Sequence, residues 1–84
     1  MFRLEKESDG QTLTLRLSGR VQAVHLEHIQ AQLNDPCVRK VMDLSAVTLV
    51  DAEVVQFLSA RECEGIELVH CPPYIREWIL RERS

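Results

Sequence analysis

Length, composition and charge limit what this chain can be. Its 84 residues suffice for one domain over residues 1–84, because every further domain would need an apolar core of its own. The 45% hydrophobic and 27% charged residues are typical of a folded globular domain and exclude a disordered chain. The formal net charge of -3, with Lys and Arg spread along the sequence, argues against a nucleic-acid partner. So short a domain has modest stability, which a homodimer would increase.

Location and redox state follow from the first residues and from the cysteines. Residues 1–6 carry a charge at every second or third place, so they predict no signal peptide and no membrane insertion, and we expect a cytoplasmic protein. Cys37, Cys63 and Cys71 are an odd number without Cys-x-x-Cys spacing, which indicates reduced thiols. A metal site from Cys63, His70 and Cys71 is disfavoured because adjacent strand residues point to opposite faces. No metal and no cofactor is predicted.

The N-terminal residues predict a β-hairpin. Residues 2–7 and 12–17 alternate between apolar and polar side chains, and the turn-forming residues 8–10 separate them. Residues 18–19 are predicted to end the second strand. Its core-facing side is predicted to consist of Leu13, Leu15 and Leu17.

An amphipathic helix is predicted over residues 22–33. Leu26, Ile29 and Leu33 recur at intervals of three and four residues, which places them on one helical face. Pro36 follows shortly after and cannot continue a helical backbone. The helix is therefore expected to end before residue 36.

The next strand leads into a second helix. Residues 38–44 are predicted to be a strand, and Val41, Met42 and Leu44 come close to the continuous apolar run that is typical of a central strand covered on both faces. Residues 46–50 are predicted to be a connection, and Asp51 is predicted to be the N-cap of the helix. Gly65 is placed to take the left-handed conformation common after a helix end. The buried side of this helix is predicted to consist of Val54, Val55, Phe57 and Leu58.

A short strand and a third helix complete the predicted order. The strand covers residues 66–69 and the helix residues 74–83, with Ile75, Trp78 and Ile79 on one face. Strands joined through helices lie parallel when they are neighbours, with right-handed crossovers. The order β-β-α-β-α-β-α therefore predicts an α/β fold with a small mixed β-sheet packed with helices.

Catalytic and nucleotide-binding patterns are missing from the sequence. The glycines lie too far apart for a phosphate loop, and no nucleophile motif is present. His25 and His28 are three residues apart but lack a third metal ligand, so we interpret them as solvated helix residues. Asp43 and Asp51 are explained separately, by a strand end and a helix cap. We therefore predict that the protein is not an enzyme.

Residues 41–51 resemble a known family. They read Val-Met-Asp-Leu-Ser-Ala-Val-Thr-Leu-Val-Asp, which is similar to the apolar strand, Asp-Leu-Ser, Val-Thr and Asp of STAS domains. This family includes bacterial anti-sigma-factor antagonists and the cytoplasmic domains of sulfate transporters. An early strand ending in Gly19 and the element order extend the resemblance over nearly the whole chain. It implies a STAS-like fold, truncated at the C-terminus because the family's last strand and helix have no counterpart after Ser84.

The resemblance also implies a partner-binding site with two departures from the family pattern. Family members regulated by phosphorylation carry Ser or Thr directly after the Asp, where this chain has Ala52. A small residue and a glycine usually follow, where this chain has Glu53 and Val54. The implied site comprises Asp51, Ala52, Glu53, Val54 and Gln56, without a phosphorylation switch. Glu53 supplies about one fixed negative charge, against about -1.5 to -2 for a phosphate, and either mimics that group or only complements the helix dipole.

Three interpretations of function stay open from the sequence. The first is a non-catalytic regulatory module that binds a cytoplasmic protein, such as an anti-sigma or kinase-like protein or a transporter subunit. The second is an accessory domain, associated with a transporter, that handles a small ligand or a lipid. The third is a thiol or metal enzyme that uses Cys63 or Cys71.

Overall fold

The sheet has both parallel and antiparallel neighbours. The computed structural model describes residues 1–83, and its four strands lie in the order β1-β2-β3-β4. Strand β1 pairs antiparallel with β2, whereas β2 with β3 and β3 with β4 are parallel. The predicted mixed sheet is confirmed. The strands are β1 (Arg3–Ser8), β2 (Thr12–Val21), β3 (Arg39–Val50) and β4 (Glu67–Val69).

Helices connect the parallel strands and cover one face of the sheet. After β2 comes a 3-10 turn, and the three helices follow β2, β3 and β4 in turn. Their buried apolar side chains form one cluster with the inward side chains of the sheet. The turn is Ala23–His25, and the helices are α1 (Leu26–Leu33), α2 (Ala52–Cys63) and α3 (Pro73–Glu82).

The core contains the residues that periodicity predicted. Leu13, Leu15 and Leu17 of β2 are at most 1% exposed, and burying each side chain of this size contributes about 1.5 to 3 kcal/mol. Trp78, Phe57 and Leu26 are only partly buried at the margin of the cluster. The helices contribute Ile29, Leu33, Val54, Val55, Leu58, Ile75 and Ile79 to it.

The prediction that β3 is covered on both faces is confirmed at residues 41–44, all of which are buried, but the helices cover only one of these faces. Met42 and Leu44 belong to the cluster beneath the helices. Val41 is buried but lies outside that cluster, and Asp43 shares its face because side chains alternate along a strand. On that face β2 places Arg16 beside Asp43. The apolar run therefore reflects burial by neighbouring strands, and the open face of the sheet carries charges.

Both central strands run further than the sequence predicted. β2 continues past residues 18–19, and β3 includes residues 46–50, which were predicted to be a connection. Register shifts in the pairing act as β-bulges, and Gly19 takes a φ of +79° beside one of them. Pairing between the two strands thus overrides local signals for a strand end. The added pairs are Ser18 with Ala46, Gly19 with Val47, Arg20 with Leu49 and Val21 with Val50.

The first helix begins later than predicted. Residues Ala23–His25 form the 3-10 turn, and α1 starts at Leu26. The backbone N–H of Gln22 donates to the His25 Nδ1 atom at 3.0 Å. This side-chain acceptor at the third turn residue closes a tight turn before the α-helix starts.

Helix α3 is held against α2 by one carboxylate. Arg76 donates two hydrogen bonds to Glu62, each of 2.9 Å, and Arg83 donates another of 2.7 Å. The Arg76 hydrogen bond is the largest influence on Glu62, and with Arg83 it holds the pKa of this carboxyl below its usual value despite desolvation. The predicted helix over residues 74–83 is confirmed within one residue at each end.

Candidate functional site

Asp51 is the N-cap of α2, as predicted. It follows β3 directly and has an extended backbone, with φ -102° and ψ 175°. Its Oδ1 atom accepts the backbone N–H of Val54 at 3.0 Å. This bond satisfies one of the free N–H groups in the first helical turn.

The second oxygen of Asp51 makes a contact that the sequence did not predict. Oδ2 accepts the backbone N–H of Ala23 at 2.9 Å, although the two residues are 28 positions apart. The C-terminal ends of the parallel strands β2 and β3 meet at one edge of the sheet, which is where sites form in α/β proteins. One carboxylate therefore joins the turn after β2 to the start of α2.

The other predicted site residues differ in exposure. Ala52, Glu53 and Gln56 are exposed to solvent. Val54 is only 1% exposed and packs in the core, so its assignment to a partner-binding surface is corrected. The reason is helical periodicity: Val54 lies on the face that α2 turns toward the sheet.

Two exposed apolar residues near Asp51 were not predicted from the sequence. Val24 in the 3-10 turn is 78% exposed, and Leu49 near the end of β3 is 55% exposed. Leu49 was not predicted as a site residue because its segment was interpreted as a connection. A cleft of about 280 Å³ lies at this edge of the sheet and is lined by Arg20, Val21, Gln22, Leu49, Val50 and Asp51. We name Val24, Leu49, Ala52, Glu53 and Gln56 the docking surface.

His25 is not a solvated residue, in contrast to the prediction. Its ring stacks on Phe2, with centroids 4.0 Å apart and planes 11° apart. Its Nδ1 atom accepts the Gln22 N–H. His28, three residues later, is exposed as expected. Phe2 precedes β1, so its stacking on His25 is a tertiary contact that helical periodicity cannot predict.

Asp43 lies apart from Asp51, on the open face of the sheet. It is 8% exposed, accepts the N–H of Ser45 at 2.9 Å, and has Arg16 Nε at 3.6 Å and His70 Nδ1 at 3.4 Å. Desolvation raises its pKa, but the hydrogen bonds from Ser45 and the interaction with His70 outweigh this, so the pKa lies below its usual value. Asp43 is thus a charged residue held by structural contacts.

The cysteines form no common centre with His70 in residues 1–83. All three thiols are free, and Cys63 is exposed on α2. Burial raises the pKa of the Cys71 thiol, which keeps it protonated and weakens its nucleophilicity. The described residues contain no group of three or more His, Cys, Asp or Glu side chains arranged to hold a metal ion. None of the helices in this part of the chain has the length and apolar character that crossing a membrane requires.

The fold of this chain is similar to that of a solved structure. Its mixed four-strand sheet, with three helices on one face, has the element order expected of a STAS domain. One solved structure with this fold is titled "Structure of the Anti-Sigma Factor Antagonist SpoIIAA in its Unphosphorylated Form". The similarity has a TM-score of 0.71 at 17% sequence identity and covers 99% of this chain and 81% of that one. The STAS-like fold implied by residues 41–51 is confirmed.

Sequence comparisons add nothing to this structural similarity. No protein-family model matches the chain, and no curated protein matches it. The fold is therefore established through three-dimensional similarity alone.

Proposed function

We propose that this chain is a non-catalytic regulatory module that binds a cytoplasmic protein through the docking surface around Asp51. The observation that carries this proposal is the double hydrogen bond of Asp51, to Ala23 and to Val54. It holds two segments side by side so that Val24 and Leu49 remain exposed at one edge of the sheet. Similarity to the fold of an anti-sigma-factor antagonist supports the same class of function.

The composition of the docking surface favours a protein partner. Exposed apolar side chains gain free energy when a partner removes them from water, about 25 cal/mol per Å² of apolar area. Glu53 adds a charge at the rim, where complementary charges mainly set specificity and association rate. A partner is therefore expected to present apolar side chains next to a basic group.

Regulation of this surface is proposed to differ from that of phosphorylated family members. Ala52 has no hydroxyl group to accept a phosphate, and Glu53 is exposed in the same turn. A carboxylate at this position interacts favourably with the helix N-terminus at all times. Binding is therefore expected to be constitutive, and a stoichiometric phosphate beside Asp51 after incubation with kinases would contradict this.

Affinity purification from the source cell tests the proposal. Wild-type protein is compared with Glu53→Lys and Val24→Asp, which change the docking surface. Glu7→Lys is the matched control, because Glu7 is exposed on β1 and pairs with Thr14 at the far end of β2. Wild type and control should recover the same partner, and both docking variants should lose it. An unchanged partner in all four samples would place binding elsewhere.

The two other interpretations gain no support from the described residues. A cleft of about 400 Å³ is lined by polar side chains of the hairpin region, which does not favour a lipid. The protonated Cys71 thiol does not favour thiol chemistry. Neither function is therefore proposed.

A further inference from the structure

The turn that carries Val24 is closed by a backbone hydrogen bond of 2.9 Å from His25 N–H to the Gln22 carbonyl and by the imidazole ring of the same histidine. The Gln22 N–H donates to His25 Nδ1 at 3.0 Å. In a capping box, a Glu or Gln at the third helical position makes this contact with the N-cap N–H. Here a histidine takes that place. Its Nδ1 atom can accept only while it carries no proton, since both ring nitrogens of an imidazolium are donors.

The ring is also fixed by the start of the chain. Phe2 stacks on it at 4.0 Å between centroids. The carbonyl of Met1 lies so close to Gly19 that a Cβ atom there would overlap it. The first two residues thus form a support beside the turn, because Met1 packs against Gly19 and Phe2 packs on the His25 ring.

The turn is also connected to the docking surface. Ala23 donates its N–H to Asp51, and the next residue, Val24, is the more exposed of the two apolar docking residues. If the bond from Gln22 N–H to His25 Nδ1 opens, the turn that places Val24 beside the start of α2 loses one of the hydrogen bonds that hold it. The backbone bond from His25 N–H to the Gln22 carbonyl and the bond to Asp51 remain.

Charged groups close to the turn offer little compensation for a proton on His25. Arg20 is the next-to-last residue of β2, Glu27 and His28 follow on α1, and Asp51 and Glu53 lie at the start of α2. The N-terminal amino group of Met1 lies beside Gly19. Both Asp51 oxygens already accept backbone N–H groups. Among the ion pairs of residues 1–83, none involves His25.

We propose that His25 is a positioning residue that makes the docking surface sensitive to protons. The neutral ring holds the turn, and protonation converts its acceptor into a donor that faces the Gln22 N–H. Acidification therefore loosens the turn and weakens partner binding. The effect on binding rests on the function proposed above, whereas the effect on the turn does not.

The first test measures the turn in the full chain without a partner. Amide hydrogen exchange of Gln22 and Ala23 is followed by NMR from about pH 7.5 to about pH 5.5, the range in which imidazoles titrate. Rates are divided by those of an unstructured peptide at the same pH. Protection of the Gln22 amide in the wild type should fall by about fivefold, the order expected for one net hydrogen bond.

Two variants distinguish the presence of the acceptor from its ability to take up a proton. His25→Gln keeps a capping-box acceptor that does not titrate, so protection should stay high across the whole pH range. His25→Ala removes the acceptor, so protection should be low throughout. His28→Gln is the control, because this exposed histidine is on the same segment, and it should behave as the wild type. Equal pH dependence in wild type and His25→Gln, or none in either, would overturn the positioning role.

The second test uses the partner recovered by affinity purification. Its binding should weaken at about pH 5.5 for the wild type and the His28→Gln control, and stay unchanged for His25→Gln. A turn that loosens without any change in binding would overturn the link to docking but leave the positioning role intact. Failure to recover a partner would count against the proposed function alone, because the amide measurement decides the role of His25 independently.

Discussion

The two ends of helix α2 use a carboxylate in different ways. At the start, Asp51 accepts backbone N–H groups from Ala23 and Val54, so it fixes the course of two segments. At the end, Glu62 accepts side-chain donors from Arg76 and Arg83, so it fixes the packing of α3. A carboxylate bonded to backbone shapes a surface, whereas one bonded to side chains joins two elements. Changes at the start should therefore alter binding and stability, and changes at the end stability alone.

The largest effect is expected from the support that Met1 and Phe2 form beside the turn. Gly19→Ala places a side chain at φ +79° against the Met1 carbonyl. The backbone strain and the lost Phe2–His25 stacking should together cost about 2 to 3 kcal/mol of unfolding free energy. Urea denaturation measures this cost. Gly10→Ala is the control, since Gly10 also has a positive φ but open space around it. Equal costs for both variants would show that the Met1 contact contributes nothing.

Removal of the Asp51 carboxylate comes next. Asp51→Ala leaves the N–H groups of Ala23 and Val54 without their acceptor, which should cost about 2 kcal/mol. Asp51→Asn keeps one acceptor oxygen and should cost about half as much. Chemical denaturation measures stability, and amide exchange shows whether the turn and the helix start open together. If exchange increases at Val54 only, the turn and the helix start open independently of each other.

The end of α2 should respond with a smaller loss of stability. Glu62→Gln removes the charge that pairs with Arg76 and Arg83, both only partly exposed, and should cost about 1 to 2 kcal/mol. Glu77→Gln is the control, because Glu77 pairs with Arg81 on the exposed side of α3 and should cost about 0.3 to 0.5 kcal/mol. Partner binding at pH 7 should stay unchanged in both variants. Lost binding in Glu62→Gln would break the distinction between the two ends.

Acidification should reveal how much the interaction of Glu62 with Arg76 and Arg83 contributes to stability. The folded-state pKa of Glu62 lies below the ordinary value of 4.5, so its contribution to stability is present above that value. It is lost as the pH falls below it toward the folded-state pKa. The unfolding free energy of Glu62→Gln should therefore decrease less between pH 6 and pH 3 than that of the wild type. Identical pH profiles would assign the acid sensitivity to other carboxyls.

Glu53 should give the smallest change in stability and a large change in binding. Glu53→Lys replaces an exposed residue in the first turn, where the helix dipole accounts for about 0.3 to 1 kcal/mol. The melting temperature should move by a few degrees at most, while affinity for the partner falls. A large loss of stability would mean that Glu53 has a structural role. That result would remove it from the docking surface.

Local signals were sufficient for several elements. The Asp9-Gly10 turn, the alternating leucines of β2, and the Asp51 cap depend on neighbours within a few residues, and each was predicted correctly. Asp9, for example, accepts the N–H groups of Gln11 and Thr12 within its own turn. Such contacts can be found in a sequence because turn chemistry and periodicity act over short distances.

The sequence by itself determined the order of elements, the inward face of β2, and the helix start at Asp51. Only the tertiary structure decided that β3 extends to Val50, that Val54 is buried, and that the His25 ring lies between Phe2 and the turn. Each of these depends on a segment far away in the chain: strand β2, the sheet beneath α2, and the first residues. The sequence could therefore place the candidate site, but the surface it presents is set by the long-range contacts that bring Ala23 to Asp51.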